Sequence, residues 1–360
     1  MEAKKLRLRG LSSRRNMPER QTPRIAVDAA GGDLGPSVVV EGAVRALREL
    51  NGSAQVTLFG DESVVNSELS RLEHGDLPLS VVNAPEQIGM DEAAAAFRKK
   101  KNSSIAVATR MQKENQTDAF VSAGNTGVVV AASLLNLGRL KGVDRPAIAT
   151  VVPNEFGGCV MLDVGANAEC KPIHLVHFGI MGSIYAKHFL GRKEPRVGLL
   201  NIGEEGTKGN DLAVETYKLL SESPVRFVGN VEGRDVFGGG ADVVVCDGFT
   251  GNILLKFMES VIDLLAGSLR EQVSRAFRAR IGAFFMRPTF EKLGQMLDYA
   301  EYGGAPLLGV NGVCIIGHGS SSAKAVKNAI KVAVRFVEKE VNDRIKEELG
   351  LYAGGKGEGS

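Results

Sequence analysis

Short apolar runs alternate along the chain with stretches of helical period. Arg24–Asp28 is a compact apolar run that stops at a glycine turn, Ala29 to Asp33, and beyond Pro36 the apolar positions fall on one helix face from Val38 to Leu50. The pattern returns at 55–60 into 63–72, at 119–122 into 127–137, and at 196–202 into 210–221. It returns again at 242–246 into 251–265 and at 313–316 into 322–341. Strands alternating with helices of this length predict an α/β protein of three layers, with a largely parallel sheet covered on both faces. Ligands of such sheets collect beyond the carboxyl ends of the strands, so the loops that follow these runs are expected to share one sheet edge.

Composition sharpens the interest in those loops. Glycine supplies 44 of 360 residues, well above a typical usage of about 7%, with no collagen-like period or low-complexity run to absorb the excess. The formal charge of +2 is uneven: residues 1–23 hold seven basic and two acidic residues, a net of +5, which leaves −3 on residues 24–360. The body is therefore mildly acidic, and nucleic acid is not an expected partner. The leader lacks the apolar core of a secretory signal; a basic, acid-poor segment suits an organelle-type transit peptide, a disordered arm or an over-extended start, and Met17 as an internal alternative favours the last two. The last residues, from Gly354 on, read as a solvated tail, and residues 346–360 as a whole are expected to be flexible.

Several chemistries have no foothold. Cys159, Cys170, Cys246 and Cys314 form no CxxC pair, and the five histidines show no metal-ligand spacing. Neither a GxSxG nucleophile elbow nor a GxxxxGK[ST] phosphate loop is present. No metal or cofactor is expected. The best apolar window, Val128 to Leu137, is too short to cross a bilayer as a helix.

What the loops do contain is a set of anion binders. They read Asp28-Ala-Ala-Gly-Gly-Asp33, Ser122-Ala-Gly-Asn-Thr-Gly127, Asp163-Val-Gly-Ala-Asn167, Asn201 to Asp211, Asp247-Gly-Phe-Thr-Gly-Asn252 and Gly317-His-Gly-Ser-Ser-Ser322. Glycine lets backbone amides converge, asparagine and serine give neutral hydrogen bonds, and each following helix points its positive end at the same place. Any one such loop is equally a helix cap. The expected substrate-binding residues here are Asn125, Thr126, Asn167, Asn210, Asp247, Ser320 and Ser321. Arg98-Lys99-Lys100-Lys101 runs into Asn102-Ser103-Ser104 and adds Arg98, Lys100, Ser103 and Ser104, which suit a phosphate group or form a solvated basic face.

These residues also carry a resemblance. DAAGGD (28–33), SAGNTG (122–127), GRLKGVDRPAIA (138–149), LDVGANAECKP (162–172) and MGSIYAKH (181–188) are similar to signature blocks of the bacterial phosphate acyltransferase family (PlsX). So are PRVGLLNIGEE (195–205), TKGND (207–211), FVGNVEGRD (227–235), ADVVVCDGFTGN (241–252), YGGAPLLGVNG (302–312) and IIGHGSS (315–321). The blocks keep the family's order over residues 24 to about 341, with Ala30 where the family usually has methionine. The resemblance implies transfer of a long-chain acyl group from acyl carrier protein to inorganic phosphate, giving an acyl phosphate for phospholipid synthesis and supplying a downstream glycerol-3-phosphate acyltransferase. It implies a cytoplasmic homodimer and a fold similar to phosphotransacetylases and isocitrate or isopropylmalate dehydrogenases, one domain over 24–345 built from two intertwined lobes. Phosphate is then its own nucleophile, so neither a covalent serine nor an ATP loop is required.

On this reading the candidate catalytic residues are Lys208, set between glycines, to orient phosphate; Asn252, to donate to the thioester oxygen; and His318, as proton shuttle or structural hydrogen-bonder. The segment from 257 to about 295 is expected to protrude as helix. Its apolar residues Phe257, Val261, Leu265, Leu269, Val273, Phe277, Ile281 and Phe285 recur every fourth position, so the stripe winds about 40° per step around a helix. Its tip, with Phe284 and Phe285, is flanked by Arg275, Arg278, Arg280, Arg287 and Lys292. That suits an anionic lipid surface, the acidic carrier protein, or dimer packing. Two other functions compete: an NAD-dependent hydroxyacid dehydrogenase on the related fold, which lacks its GxGxxG fingerprint here, and a non-catalytic phosphate-sensing scaffold.

Overall fold

The computed structural model describes residues 22–297 and 299–355; the basic leader lies outside them except for its last two residues, as does the end of the tail, 356–360. The strands are β1 (Arg24–Asp28), β2 (Gln55–Gly60), β3 (Leu79–Asn83), β4 (Ala119–Ser122), β5 (Ala147–Val152), β6 (Cys159–Leu162), β7 (Arg196–Leu200), β8 (Arg226–Val231), β9 (Val243–Val245), β10 (Ala305–Leu308) and β11 (Val313–Ile316). The helices are α1 (Pro36–Leu50), α2 (Glu62–Ser70), α3 (Ala96–Lys99), α4 (Ser104–Lys113), α5 (Thr126–Asn136), α6 (Pro172–Phe189), α7 (Asp211–Ser221), α8 (Gly233–Gly238), α9 (Gly248–Arg275), α10 (Phe277–Leu297), α11 (Tyr299–Tyr302), α12 (Ala323–Glu338) and α13 (Val341–Gly355).

All strands join one sheet in the order β3-β2-β1-β4-β11-β10-β5-β6-β9-β7-β8. The central strands are buried on both faces, which is why they read as unbroken apolar runs rather than alternating ones. After α5 the chain leaves the first half of the sheet, builds the second, and returns through β10 and β11. The returning α12 packs on α1, and α13 then packs on α6, so each half holds pieces of the other's path.

One expectation is overturned by strand direction. β10 runs antiparallel to β11 on one side and to β5 on the other, and β5 runs antiparallel to β6. β1, β2, β3, β4 and β11 are mutually parallel, as are β6, β9, β7 and β8, and the reversals set the second group against the first. The strand-end loops therefore divide between two opposite edges of the sheet. Those after β1, β4 and β11 lie on a first edge, and those after β6, β7 and β9 on a second. At about 3.3 Å per residue, strands of three to six residues separate the edges by roughly 10–20 Å.

Two smaller expectations change as well. Residues 346–355, read as tail, continue α13, with Ile345 and Leu349 buried against the core. The apolar stripe of 257–285 is not continuous, because Ala276 takes an extended conformation (φ −124°, ψ 128°) that ends α9 and turns the chain into α10. The two helices pack on each other, and Phe257, Leu264, Leu265, Phe277, Phe284 and Phe285 are exposed on them.

Candidate active site

The first edge is organised by Asp28, a buried carboxylate at the end of β1. It accepts the Ser122 hydroxyl at 2.6 Å and the Ala30 N–H at 3.1 Å, and Ser104 and the Gly31 amide also donate to it. Burial pushes this carboxyl above the usual range, against those donors. The packing leaves no room for a side chain at 31: a Cβ there would stand 2.5 Å from Asp28 Oδ2 and 2.8 Å from the Gly124 nitrogen. The His318 loop closes over the same place, its Nδ1 2.7 Å from Ser320 Oγ, while Ser321 is buried with its N–H on the His318 carbonyl. Beneath lies a cavity of about 30 Å³ bounded by Val27, Val39, Val121, Val326 and Ala329, with Asp28, Ser122 and His318 at its polar end.

Several expected ligand residues on this edge are already engaged. Asn125 caps α5 by accepting from Val128 N–H, and its Nδ2 donates to the carbonyls of Met90 and Glu92. Thr126 opens that helix. Lys100 is paired with Glu92 at 2.5 Å and donates to the Gln87 carbonyl, whereas Arg98 is exposed. Ser103 is buried at the start of α4 with its hydroxyl on the Lys100 carbonyl.

The second edge is built around Asp163, fully buried at the end of β6. Its Oδ1 accepts N–H groups from Ile148 (2.9 Å), Gly165 (3.2 Å) and Ala166 (3.0 Å), and its Oδ2 accepts Asn167 N–H (2.7 Å) and Asn167 Nδ2 (2.9 Å). Five donors around one carboxylate fix the loop 163–167; burial nonetheless raises its proton affinity above the usual range. Asn167 is thereby a structural link, its Nδ2 donating also to the Pro146 carbonyl at 2.7 Å and its own carbonyl accepting Gly248 N–H at 2.8 Å. The α9 start is pressed onto this loop: a Cβ at Gly251 would lie 1.9 Å from the Asp163 carbonyl oxygen, so only glycine fits.

That contact presents Asn252. Asp247 caps α9 through Thr250 N–H and Thr250 Oγ1, and the chain rises one turn to Asn252, half-buried against Gly165, which holds φ +136°. Among the described residues the Asn252 amide has no hydrogen-bond partner. Lys208 lies in the loop after β7, the strand beside β9, exposed and without an ion-pair partner among the described residues. Its loop is tied down by Asn201 Nδ2 on the Lys208 carbonyl and by Asn210, which caps α7. Lys208, Asn210, Asn167, Asp247 and Asn252 thus share the second edge. His318, Ser320, Ser321, Asn125, Thr126, Ser103, Ser104, Arg98 and Lys100 share the first, so His318 and Asn252 do not meet within one chain.

In the sequence Asp28, Asp163 and Asp247 each end a strand, where a carboxylate could hold a lysine or cap a turn; in the structure Asp28 and Asp163 bind the N–H groups of their own loops and Asp247 caps α9. His174 reads from its helical stretch as a structural residue, and nothing in the pattern marks Arg145.

Among the described residues no helix is long and apolar enough to cross a membrane. The fold is that of phosphotransacetylases. The Streptococcus pyogenes phosphotransacetylase superposes with a TM-score of 0.58 at 18% identity over 88% of this chain and 94% of that one. A branched-chain phosphotransacylase of Enterococcus faecalis V583 gives 0.55 at 15% identity, over 88% and 99%. In sequence, the phosphate acyltransferase of Heliobacterium modesticaldum is 52% identical over 328 residues, 91% of this chain and 97% of that protein. The phosphate acyltransferase of Synechocystis sp. is 46% identical over 331 residues, 91% and 94% of the two chains. A family model described as "Fatty acid synthesis protein" matches residues 23–344. With one architecture and half the residues shared across the whole body, the chain belongs to the phosphate acyltransferase family, a family of acyltransferases.

Proposed function

We propose that the chain moves a long-chain fatty acyl group from an acyl carrier protein thioester directly onto inorganic phosphate at the second edge, reversibly and with no covalent enzyme intermediate. The observation that carries this reading is the uncommitted Asn252 amide, held beside the positive end of α9 by the Asp163 loop. A phosphate oxygen adds to the acyl carbon to form a tetrahedral stage, whose collapse breaks the C–S bond; the thiolate leaves and takes up the proton that hydrogen phosphate gives up. Negative charge builds on the thioester oxygen at the tetrahedral stage, where Asn252 donates a hydrogen bond and Lys208, on the neighbouring loop, balances the charge of phosphate. A donor already fixed before charge develops needs no reorganisation, which is why an amide without another partner suits the role.

We further assign the exposed apolar and basic face of α9 and α10 to a macromolecular surface: an anionic membrane, the carrier protein or the second subunit of a homodimer. Phe284 and Phe285 are 72% and 76% exposed in a segment that also carries Arg278, Arg280 and Arg287, and exposed apolar residues rimmed by charge are the mark of an interaction surface. The reaction is tested by incubating the protein with acyl carrier thioester with and without phosphate. Release of thiol only with phosphate, together with acyl phosphate, is the expected result; phosphate binding without release would support the scaffold instead.

A further inference from the structure

The second edge carries two groups that the proposed reaction leaves unused. Arg145 ends the turn before β5, one residue ahead of Pro146, whose carbonyl is bound by Asn167 Nδ2. Its backbone is thereby fixed against the loop that seats Gly248 and Asn252. The guanidinium is exposed, with no ion-pair partner among the described residues.

His174 stands in the first turn of α6 and is only 8% exposed. Its Nδ1 accepts the Lys171 N–H at 3.1 Å, which puts the proton of the neutral ring on Nε2. Burial holds the ring below the usual histidine range, Asp144 opposing and the charges of Arg145 and Lys171 reinforcing it. Near pH 7 the ring is therefore neutral, and its Nε2–H is a donor that no described residue accepts. Cys170 Sγ lies 3.9 Å from the Asn167 carbonyl that accepts the Gly248 N–H of α9, and the Arg145 charge is felt at that thiol. Arg145, His174, Cys170 and the α9 start thus occupy one neighbourhood, bracketed by the positive ends of α6 and α9.

We infer that Arg145 and the His174 Nε2–H form a binding pair for a phosphate group beside Asn252. Arg145 supplies charge and a forked contact, and His174 a neutral hydrogen bond. This rests on the proposed reaction and adds the side chains that hold its anionic component. Two sources offer the same chemistry: inorganic phosphate, and the phosphodiester that joins a carrier protein to its thiol arm.

The test is steady-state kinetics with both substrates varied, on the full chain carrying Arg145→Ala, Arg145→Lys or His174→Glu. Glutamate at this first-turn position still accepts the Lys171 N–H, so the helix start is kept while a donor becomes a negative charge. KM for inorganic phosphate is expected to rise about 10- to 100-fold in Arg145→Ala and His174→Glu, the worth of one charge-assisted hydrogen bond, with a smaller rise in Arg145→Lys and little change in kcat. A rise of the same size confined to KM for the carrier thioester, absent with a short thioester that lacks the phosphodiester, assigns the pair to the arm. Unchanged KM for both substrates, alongside a Lys208→Ala variant that has lost turnover, overturns the inference and leaves the reaction standing. Absence of phosphate-dependent turnover in the unaltered protein would instead overturn the reading beneath it.

Discussion

Replacing Asp163 with asparagine removes charge and one acceptor while keeping the shape, and the structure sets the size of the effect. Oδ1 faces three N–H donors and Oδ2 faces two, Asn167 N–H and Asn167 Nδ2. With the amide oxygen on the three-donor side, the new NH2 group confronts the other two donors in a fully buried position. Each donor left unsatisfied costs about 1–3 kcal/mol, giving roughly 2–6 kcal/mol for the pair. Against a typical folding stability of about 5–15 kcal/mol this is a large loss, and alanine, which strips all five, is expected not to fold. Urea denaturation followed by far-UV circular dichroism measures it as a lowered midpoint at unchanged slope. Because the same loop seats Gly248 and Asn252, turnover by the folded fraction should fall too. An Asp163→Asn protein within about 0.5 kcal/mol of the parent, the scale of an ordinary surface substitution, would refute the assignment of Asp163 as the organiser of this edge.

Three other perturbations separate stability from function. Asn252→Ala should lower kcat by about 10²–10³, the cost of one oxyanion donor, while thermal unfolding barely moves because the amide serves no protein partner; a matching fall in stability would argue for a structural role. Burial raises the folded-state proton affinity of Asp28, so its contribution to stability is fully present below the unfolded carboxylate pKa of about 4 and is lost as pH rises through the higher folded value. The stability advantage of the parent over Asp28→Asn should therefore shrink as pH rises above about 4, and an advantage that grows with pH would contradict the assignment. Sedimentation with anionic vesicles should be weakened by Phe284→Glu/Phe285→Glu, and equal binding would leave the α9–α10 face to carrier or dimer contact.

Much of the architecture was legible because it depends on burial. Runs such as Ile25–Val27 and Val313–Ile316 are apolar throughout since both faces of the sheet are covered, and that alone distinguishes them from amphipathic helices. Direction leaves no such trace. The four residues of β10 read the same in either sense; its two antiparallel pairings, with β11 and β5, cancel, and the third reversal, β5 against β6, sends half of the glycine loops to the opposite edge. The end of α9 was equally hidden, because Ala276 is a good helix former and yet takes an extended conformation, while Pro288 sits inside α10 without ending it. Lys208 and Asn252 stand out as candidates in the sequence through their glycine-flanked settings, and the structure puts both loops on one edge. The bond that His174 accepts from the Lys171 N–H leaves no such mark, because an isolated histidine in a helical stretch reads as structural.

The central claim is that phosphate itself attacks the thioester. It is tested most directly by following thiol and acyl phosphate together as phosphate is titrated into the protein and a long-chain acyl carrier thioester. The account predicts one acyl phosphate per thiol released, saturation with phosphate, and no release in its absence. Thiol released at the same rate without phosphate, with free fatty acid as product, would contradict it.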